Sequence, residues 1–412
     1  IDFARVAEIE AELRHDVMAH VRHFGEVAGK DAEKIIHLGA TSCFVTDNAE
    51  LVMIRDGLEL VMDRLHTVLT QLVAFAQEHR DLPTLSYTHY QPAQLTTVGK
   101  RACLWAQDLA LDLQSLASLV ERLPFRGTKG TTGTQASYLA LLDGDHDKVR
   151  ALDRALAKAM GFSTLAAATG QTYTRKVDTW VVNALADVAA SAAKMASDLR
   201  LLAHEREVDE PFGKHQVGSS AMAYKRNPMR SERVCSLARF VLSLASSPPQ
   251  THANQWLERT LDDSANRRLV LTEAFLATDA ITNLLADVTA GLVVHPAVVR
   301  SHVDAELPFM ATENILMAAV RAGGNRQTLH EAIRTHALAA SHRIKAEGVG
   351  NDLLERMAAD PGLAPFVGDA VDPQDYVGRA PQQVDEIIAE LLGPVLQAHE
   401  HRAGRFVSRV RV

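Results

Sequence analysis

Three polar segments interrupt a chain that otherwise reads as long, alanine-rich helices, and they hold the side chains that could do chemistry. The first is GSSAMAYKRNPM, residues 218–229. It sets two serines beside a glycine, then two cations and an Asn-Pro break. A serine hydroxyl acts as a base only if its alkoxide is strongly stabilised, which Lys225, backbone N–H groups and a water-excluding lid would supply around Ser219. A Gly-Ser-Ser loop ahead of a helix suits such a lid. The second is HLGATSCFVTDN (37–48). Thr41 and Ser42 precede a long helix, where free N–H groups and hydroxyls hold a carboxylate; the competing reading is a simple helix cap. The third is LSYTHYQPAQLTTVGKR (85–101). Pro92 keeps His89 out of a helix, and the competing reading is an incidental loop histidine.

Other chemistries fit poorly. Ser219 lacks the GxSxG context of a strand-to-helix nucleophile. GTKGTTGT (127–134) is glycine-rich but lacks the G-K-[ST] ending of a phosphate loop; it reads as a connector with a ligand contact as the alternative. His15, His20 and His23 lack the i,i+4 metal spacing, HExxH is absent, and no metal is expected. The 43 basic against 51 acidic residues give a net charge of −8, which argues against a nucleic-acid binder. Cys43, Cys103 and Cys235 are far apart, without CxxC spacing, which fits a reducing, cytoplasmic compartment. No apolar run approaches membrane-spanning length and no signal peptide is apparent, so no membrane association is expected. The chain opens without Met in a pattern already helical, and a further N-terminal piece is expected ahead of Ile1.

The elements that must position these segments follow from periodicity. Leu51, Ile54, Leu58, Val61, Leu65, Val68, Leu72 and Phe75 form an unbroken heptad seam over residues 44–80. Thr46, Asp47 and Asn48 are candidate N-caps. A helix of roughly 33 residues would run about 50 Å, a length usual in bundles. Val98, Ala102, Trp105, Leu109, Leu113, Leu116, Val120 and Leu123 predict a second helix over about 97–122, with further helices near 173–205, 230–247 and 260–290. Strand signals are almost absent. After residue 294 shorter helices are expected, with breaks at Pro308, Gly323-Gly324 and within 343–375. Of 412 residues, 47% are apolar, enough for a large all-α protein of several domains. The expected division is 1–40 as the remainder of an N-terminal helical domain, 41–294 as a central long-helix bundle and 295–412 as a C-terminal helical domain.

GSSAMAYKRNP resembles the G-S-S-x-M-P-x-K-x-N loop of the fumarase/aspartase superfamily, and the segments around GATS and THYQPAQ resemble its other two signatures. HLGATSC, QPAQLTTVGKR, RGTKGTTGTQAS, TGQTYTRKVD, YKRNPMRSER, ERTLDDSANRR and ELPFMATENI are similar, more narrowly, to the adenylosuccinate lyase family of animal type. The resemblance spans essentially the whole chain. It implies three helical domains whose long central helices form a bundle shared in a homotetramer with composite active sites. It implies elimination of fumarate from adenylosuccinate, giving AMP, and from the carboxamide ribotide SAICAR, giving AICAR, with no metal or organic cofactor. By the same resemblance Ser219 is the base, Lys225 and Asn227 bind the succinyl carboxylates, His89 is the general acid and His15 assists it. Thr41, Ser42, Thr88 and Gln171 match substrate contacts, and Arg259, Ser264 and Arg268 match groups at the nucleotide phosphate. Ala223 stands where the family loop has proline, so a more mobile lid is expected. The family also carries several tens of residues ahead of Ile1, with an Arg-Tyr pair that reaches the phosphate. The alternatives are another fumarate-releasing lyase such as argininosuccinate lyase, which the arginines near 259–268 disfavour, or a non-catalytic crystallin-like homologue, which has no need of His89, Ser219 and Lys225 together.

Overall fold

The computed structural model describes residues 1–213, 216–368, 371–408 and 410. Helices dominate, and the chain divides into two compact units. The first comprises residues 1–64, 112–190 and 236–282; the second comprises 65–111, 191–235 and 283–412.

The heptad seam forms as expected. Helices α1 (Phe3–Leu13), α2 (Asp16–Ala28) and α3 (Lys30–Ile35) lead into α4 (Ser42–Glu78), whose 37 residues give a rod of about 55 Å. Every seam residue from Leu51 to Phe75 is buried. The predicted caps are corrected: α4 begins at Ser42, so Thr46, Asp47 and Asn48 lie one turn inside it. Asp47 and Asn48 are buried there because they bond other segments, Asn48 Nδ2 also donating to the Phe44 carbonyl one turn back. Within the first unit, Gly57 lets α4 approach closely, since a Cβ there would sit 2.9 Å from the Phe275 ring. Avoiding that clash outweighs the roughly 1 kcal/mol penalty of glycine inside a helix.

Strands β1 (Pro83–Thr88) and β2 (Gln91–Thr97) form an antiparallel hairpin where only a loop was expected. Its run is short and interrupted by Pro92, which hid the alternation. In the second unit the hairpin buries Leu85 and Leu95 against Val299, Val303 and Leu307. Helices α5 (Val98–Arg122), α6 (Ala136–Leu141), α7 (His146–Ala159) and α8 (Lys176–His204) follow, with the two long ones near their expected limits. Next come β3 (Val208–Asp209), α9 (Met229–Leu244), α10 (Ser247–Ala253), α11 (Asp263–Thr289) and β4 (Val293–Val294), which pairs with β3.

Helix α11 corrects the hydropathy reading: it alone, among the described residues, is long and apolar enough by composition to cross a membrane. Half of its apolar window is buried inside the protein, as befits a core helix. Helix α12 (Pro296–Arg321) corrects another expectation by running through Pro308. A helix-interior proline costs about 3 kcal/mol. The buried stripe Val299, Val303, Leu307, Ala311, Ile315 and Ala319 offsets this, at about 1.5–3 kcal/mol for each fully buried large aliphatic side chain. Gly323-Gly324 do separate α12 from α13 (Arg326–Glu347), so the helices after residue 294 are not uniformly short.

Candidate active site

Sequence-distant segments of the first unit meet around a cavity of about 640 Å³. His15, Thr41, Ser42, Gln171, Arg259, Ser264 and Arg268 all line it. His15 caps α2 with its Nδ1 accepting from the Met18 amide at 3.3 Å. That bond leaves the proton of the neutral ring on Nε2, which faces the Ser42 hydroxyl at 3.5 Å. Ser42 opens α4, and Cys43, Thr46, Asp47 and Glu50 extend the same wall at helical spacing. Gln171 is fixed through its backbone: its N–H donates to the Glu258 carbonyl at 2.9 Å and its own carbonyl accepts from Arg126 Nε at 2.8 Å. The 258–259 segment comes so close that a Cβ on Gly170 would lie 2.4 Å from the Glu258 oxygen. Glycine is what allows Arg259 to reach the cavity.

Part of the cavity wall is a largely buried ion cluster, Asp47, Glu50, Arg175, Asp263 and Arg267, to which no role was assigned from sequence. Arg175, 2% exposed, donates from Nε to Asp263 Oδ2 at 2.7 Å and from Nη1 to Asp47 Oδ2 at 3.2 Å. Arg267 donates from Nε to Asp178 Oδ2 at 2.6 Å and from Nη2 to Glu50 Oε2 at 2.8 Å. The Tyr173 hydroxyl donates to Asp178 Oδ1 at 2.7 Å, and its backbone N–H donates to Asp47 Oδ2 at 2.8 Å. Burial, followed by the Asp178 charge, raises the Tyr173 pKa well above its ordinary value, so it is a neutral donor. For both arginines burial opposes the charged form, but the surrounding carboxylates outweigh it and the pKa rises. Arg126, fully buried, gives its guanidinium to the carbonyls of Gly127, Gly130 and Gln171, and burial lowers its pKa. The glycine-rich 127–134 stretch is thus a structural connector at its start, where Asp153 also accepts from the Thr128 amide and from Lys129.

These contacts consume the buried charges and leave others open. Among the described residues, Arg268 and Arg14 make no side-chain hydrogen bond or ion pair, and both line the cavity. Arg259 stands 3.9 Å from Asp263 Oδ2 and keeps part of its surface exposed. Glu10 and Asp16 line the cavity too, but the Arg14 and Arg268 guanidinium groups have no direct partner among the described residues, and their paired donors suit an anion. Arg14 and Asp16 were missed in the sequence. The available signal was their adjacency to His15, with Arg14 in the left-handed region at φ 54° closing α1.

The other predicted residues belong to the second unit. Thr88 ends β1, paired with Gln91, and His89 and Tyr90 form the two-residue tip. Both tip residues have positive φ, 53° and 60°, the turn type that suits a hairpin but normally favours Asn and Gly. The hairpin core over-determines the turn, and a strained tip holding a titratable group is a pattern of functional sites. Arg101 anchors the base of the hairpin by donating to the Leu85 carbonyl and to Thr84 Oγ1. A cavity of about 560 Å³ beside it is lined by Tyr87, His89, Lys100, Arg101, Lys194 and Asp198, among others.

Ser219, Lys225 and Asn227 share the 218–228 loop, which is exposed from Ser220 to Arg226, half-buried at its ends and pinned at its base. Glu210 caps α9 by accepting from the Arg230 and Ser231 amides at 3.0 and 2.6 Å, and Arg230 pairs with Asp287 at 2.6 Å. Asn227 Nδ2 donates to the Gly218 carbonyl at 3.1 Å, and a Cβ on Gly218 would fall 2.2 Å from the Lys225 oxygen. Ser219 Oγ accepts from the Ala221 and Met222 amides at 3.4 and 3.2 Å. Donors aimed at an oxygen stabilise negative charge on it. Lys225 has no ion-pair partner among the described residues, so its ammonium is free for an anion. Neither Ser219 nor His89 is among the residues lining the arginine-walled cavity.

Comparison with known proteins follows the same lines. A family model described as "Lyase" matches residues 2–242, and one described as "Adenylosuccinate lyase C-terminus" matches residues 308–387. The chain is 52% identical over 399 residues to an adenylosuccinate lyase of Saccharomyces cerevisiae, covering 96% of this chain and 83% of that protein. It is 46% identical over 405 residues to one from Schistosoma mansoni, covering 97% and 84%. Among solved structures, a fumarate lyase from Mesorhizobium sp. BNC1 superposes with a TM-score of 0.79 at 25% identity, covering 95% of this chain and 86% of that one. The 3-carboxy-cis,cis-muconate lactonizing enzyme of Pseudomonas putida shares the fold, with a TM-score of 0.80 at 23% identity and coverage of 98% and 87%.

Proposed function

The chain belongs to the adenylosuccinate lyase family, and on that premise we propose that it eliminates fumarate from adenylosuccinate to give AMP and from SAICAR to give AICAR. The observation that carries this reading is the cavity in which His15, Thr41, Ser42, Gln171, Arg259, Ser264 and Arg268 converge from separate segments. A small dicarboxylate alone would not need guanidinium groups distributed along a cavity of about 640 Å³; a nucleotide monophosphate with a succinyl arm does.

The proton removed lies α to a carboxylate and is weakly acidic, so the chemistry needs a stabilised base and donors for a dianionic intermediate. Ser219 is the base. Its Oγ already accepts two backbone N–H bonds, which favour the alkoxide. Lys225 and Asn227 hold the succinyl carboxylates, and the free ammonium of Lys225 adds a positive charge beside the base. His89 protonates the leaving purine nitrogen, with His15 assisting through the ring orientation that Met18 and Ser42 give it. Thr88, Thr41, Ser42 and Gln171 contact substrate, and Arg259, Ser264 and Arg268 grip the phosphate.

An acid on an exposed hairpin tip and a base only half-buried at the start of an open loop need walls that exclude water. The long helices also expose Leu60, Leu104, Leu111, Leu201, Leu269 and Leu276. Both features favour a homotetramer with composite sites, and three free, buried cysteines fit work in a reducing cytoplasm. The deciding experiment mixes purified protein with adenylosuccinate and follows the purine absorbance together with fumarate release. Stoichiometric fumarate and AMP support the proposal; an inert protein, or turnover of argininosuccinate instead, overturns it.

A further inference from the structure

The start of α11 presents two faces with different tasks. All four of Asp263, Ser264, Arg267 and Arg268 line the cavity, but Asp263 and Arg267, four residues apart, are buried in its wall, whereas Ser264 and Arg268 follow each by one residue, about 100° further round the helix, and are the more exposed pair. The buried face is held by charge. Asp263 Oδ2 accepts from Arg175 Nε at 2.7 Å, and Arg175 is held in turn by Asp47 on α4 at 3.2 Å. Arg267 is held by Asp178 on α8 and Glu50 on α4, at 2.6 and 2.8 Å. The same Asp263 oxygen lies 3.9 Å from Arg259, which arrives from the preceding loop.

We infer that Asp263 and Arg175 are positioning residues for the phosphate grip, acting through Arg259, Ser264 and Arg268; this rests on the adenylosuccinate lyase reading. A hydrophobic seam alone tolerates small rotations of a helix about its axis, because apolar contacts are non-directional. Two directional ion pairs one turn apart do not. They fix the rotational phase of α11, and that phase decides whether Ser264 and Arg268 point into the cavity. Asp263 also draws Arg259 toward the same anion-facing wall. The other carboxylate oxygen of Asp263, Oδ1, is buried without a hydrogen-bond partner.

The test compares kcat/KM on adenylosuccinate with kcat/KM on phosphate-free succinyladenosine for wild type, Asp263→Asn, Arg175→Lys, Arg268→Ala and the Asp263→Asn/Arg268→Ala double variant, each checked by thermal melting. Asn keeps the shape of Asp263 and removes its charge. For Asp263→Asn the expected result is a loss of about 10-fold in kcat/KM on adenylosuccinate, with a change of about 2-fold or less on succinyladenosine. In the double variant the two losses should fall well short of multiplying, because Asp263 acts through Arg268. Arg175→Lys should lower discrimination in the same direction, and it decides the matter alone if Asp263→Asn does not fold. Equal losses on both substrates, or fully multiplicative losses in the double variant, overturn the inference. A wild type that cleaves neither substrate overturns the parent reading and this inference with it, whereas a wild type that prefers the phosphate-bearing substrate, with variants that keep the preference, overturns only the inference.

Discussion

Arg267 and Arg268 are neighbours in sequence with the same side chain, yet the structure assigns them opposite consequences on replacement by alanine. Arg267 is buried and donates to Asp178, Glu50 and the Tyr173 hydroxyl. Removing it leaves Asp178 buried with only Tyr173 to answer it. Breaking a buried pair from one side costs about 3–5 kcal/mol, a large share of the 5–15 kcal/mol that holds a typical fold. Arg268 is exposed and, among the described residues, carries no hydrogen bond or ion pair. Its removal should change stability by about 0.5 kcal/mol or less. Its cost appears only when phosphate binds: one charged hydrogen bond is worth about 1.5–3 kcal/mol, or roughly 10- to 150-fold in kcat/KM. Binding energy far from the reacting bond also helps hold the closed state, so kcat should fall as well as affinity. The assay pairs denaturant midpoints with kinetics on adenylosuccinate and succinyladenosine. Arg267→Ala should lower the midpoint sharply. Arg268→Ala should melt like wild type, lose activity on adenylosuccinate and leave the small rate on succinyladenosine nearly untouched. If Arg268→Ala harms both substrates equally, the residue serves the succinyl end or the scaffold, and the argument from the arginines to a nucleotide fails.

Ser219→Ala should abolish turnover while substrate binding, measured by calorimetry, survives, because the hydroxyl acts in proton removal. His89→Ala should lower kcat by about 10²–10⁴, the usual contribution of a positioned proton donor; near-normal rates in both variants would remove the acid and base assignments. Mixing the two inactive variants and allowing subunits to exchange should restore part of the activity, and a monomer by light scattering or an inert mixture would count against composite sites. Cys43 lines the arginine-walled cavity, but burial, followed by the Asp47 charge, raises its thiol pKa. The thiolate is therefore scarce at neutral pH and rises only as pH passes the elevated pKa, so alkylation of Cys43 should stay slow well beyond pH 8; rapid labelling at pH 7 would contradict this.

What the sequence determined was the part carried by local rules. The seam from Leu51 to Phe75 is buried along its whole length, because a heptad leaves a helix only one face to bury. The residues that the family resemblance implies at the substrate, His15, Thr41, Ser42, Gln171, Arg259, Ser264 and Arg268, do share one cavity, but local rules alone gave no reason for them to meet. Tertiary structure decided what local rules leave open. Pro308 reads as a break, yet the buried stripe of α12 outweighs its cost. Asp47 and Asn48 read as caps, yet distant partners, Arg175, Tyr173 and Gly127, draw them inside α4. Residues 83–97 read as a loop, because a hairpin this short gains its stability from Val299, Val303 and Leu307 more than 200 residues away. The ion pairs Arg175–Asp263 and Arg267–Asp178 were the least legible of all. Each joins residues nearly 90 positions apart, and a charge on a helix reads as a solvated face until the fold removes the water around it.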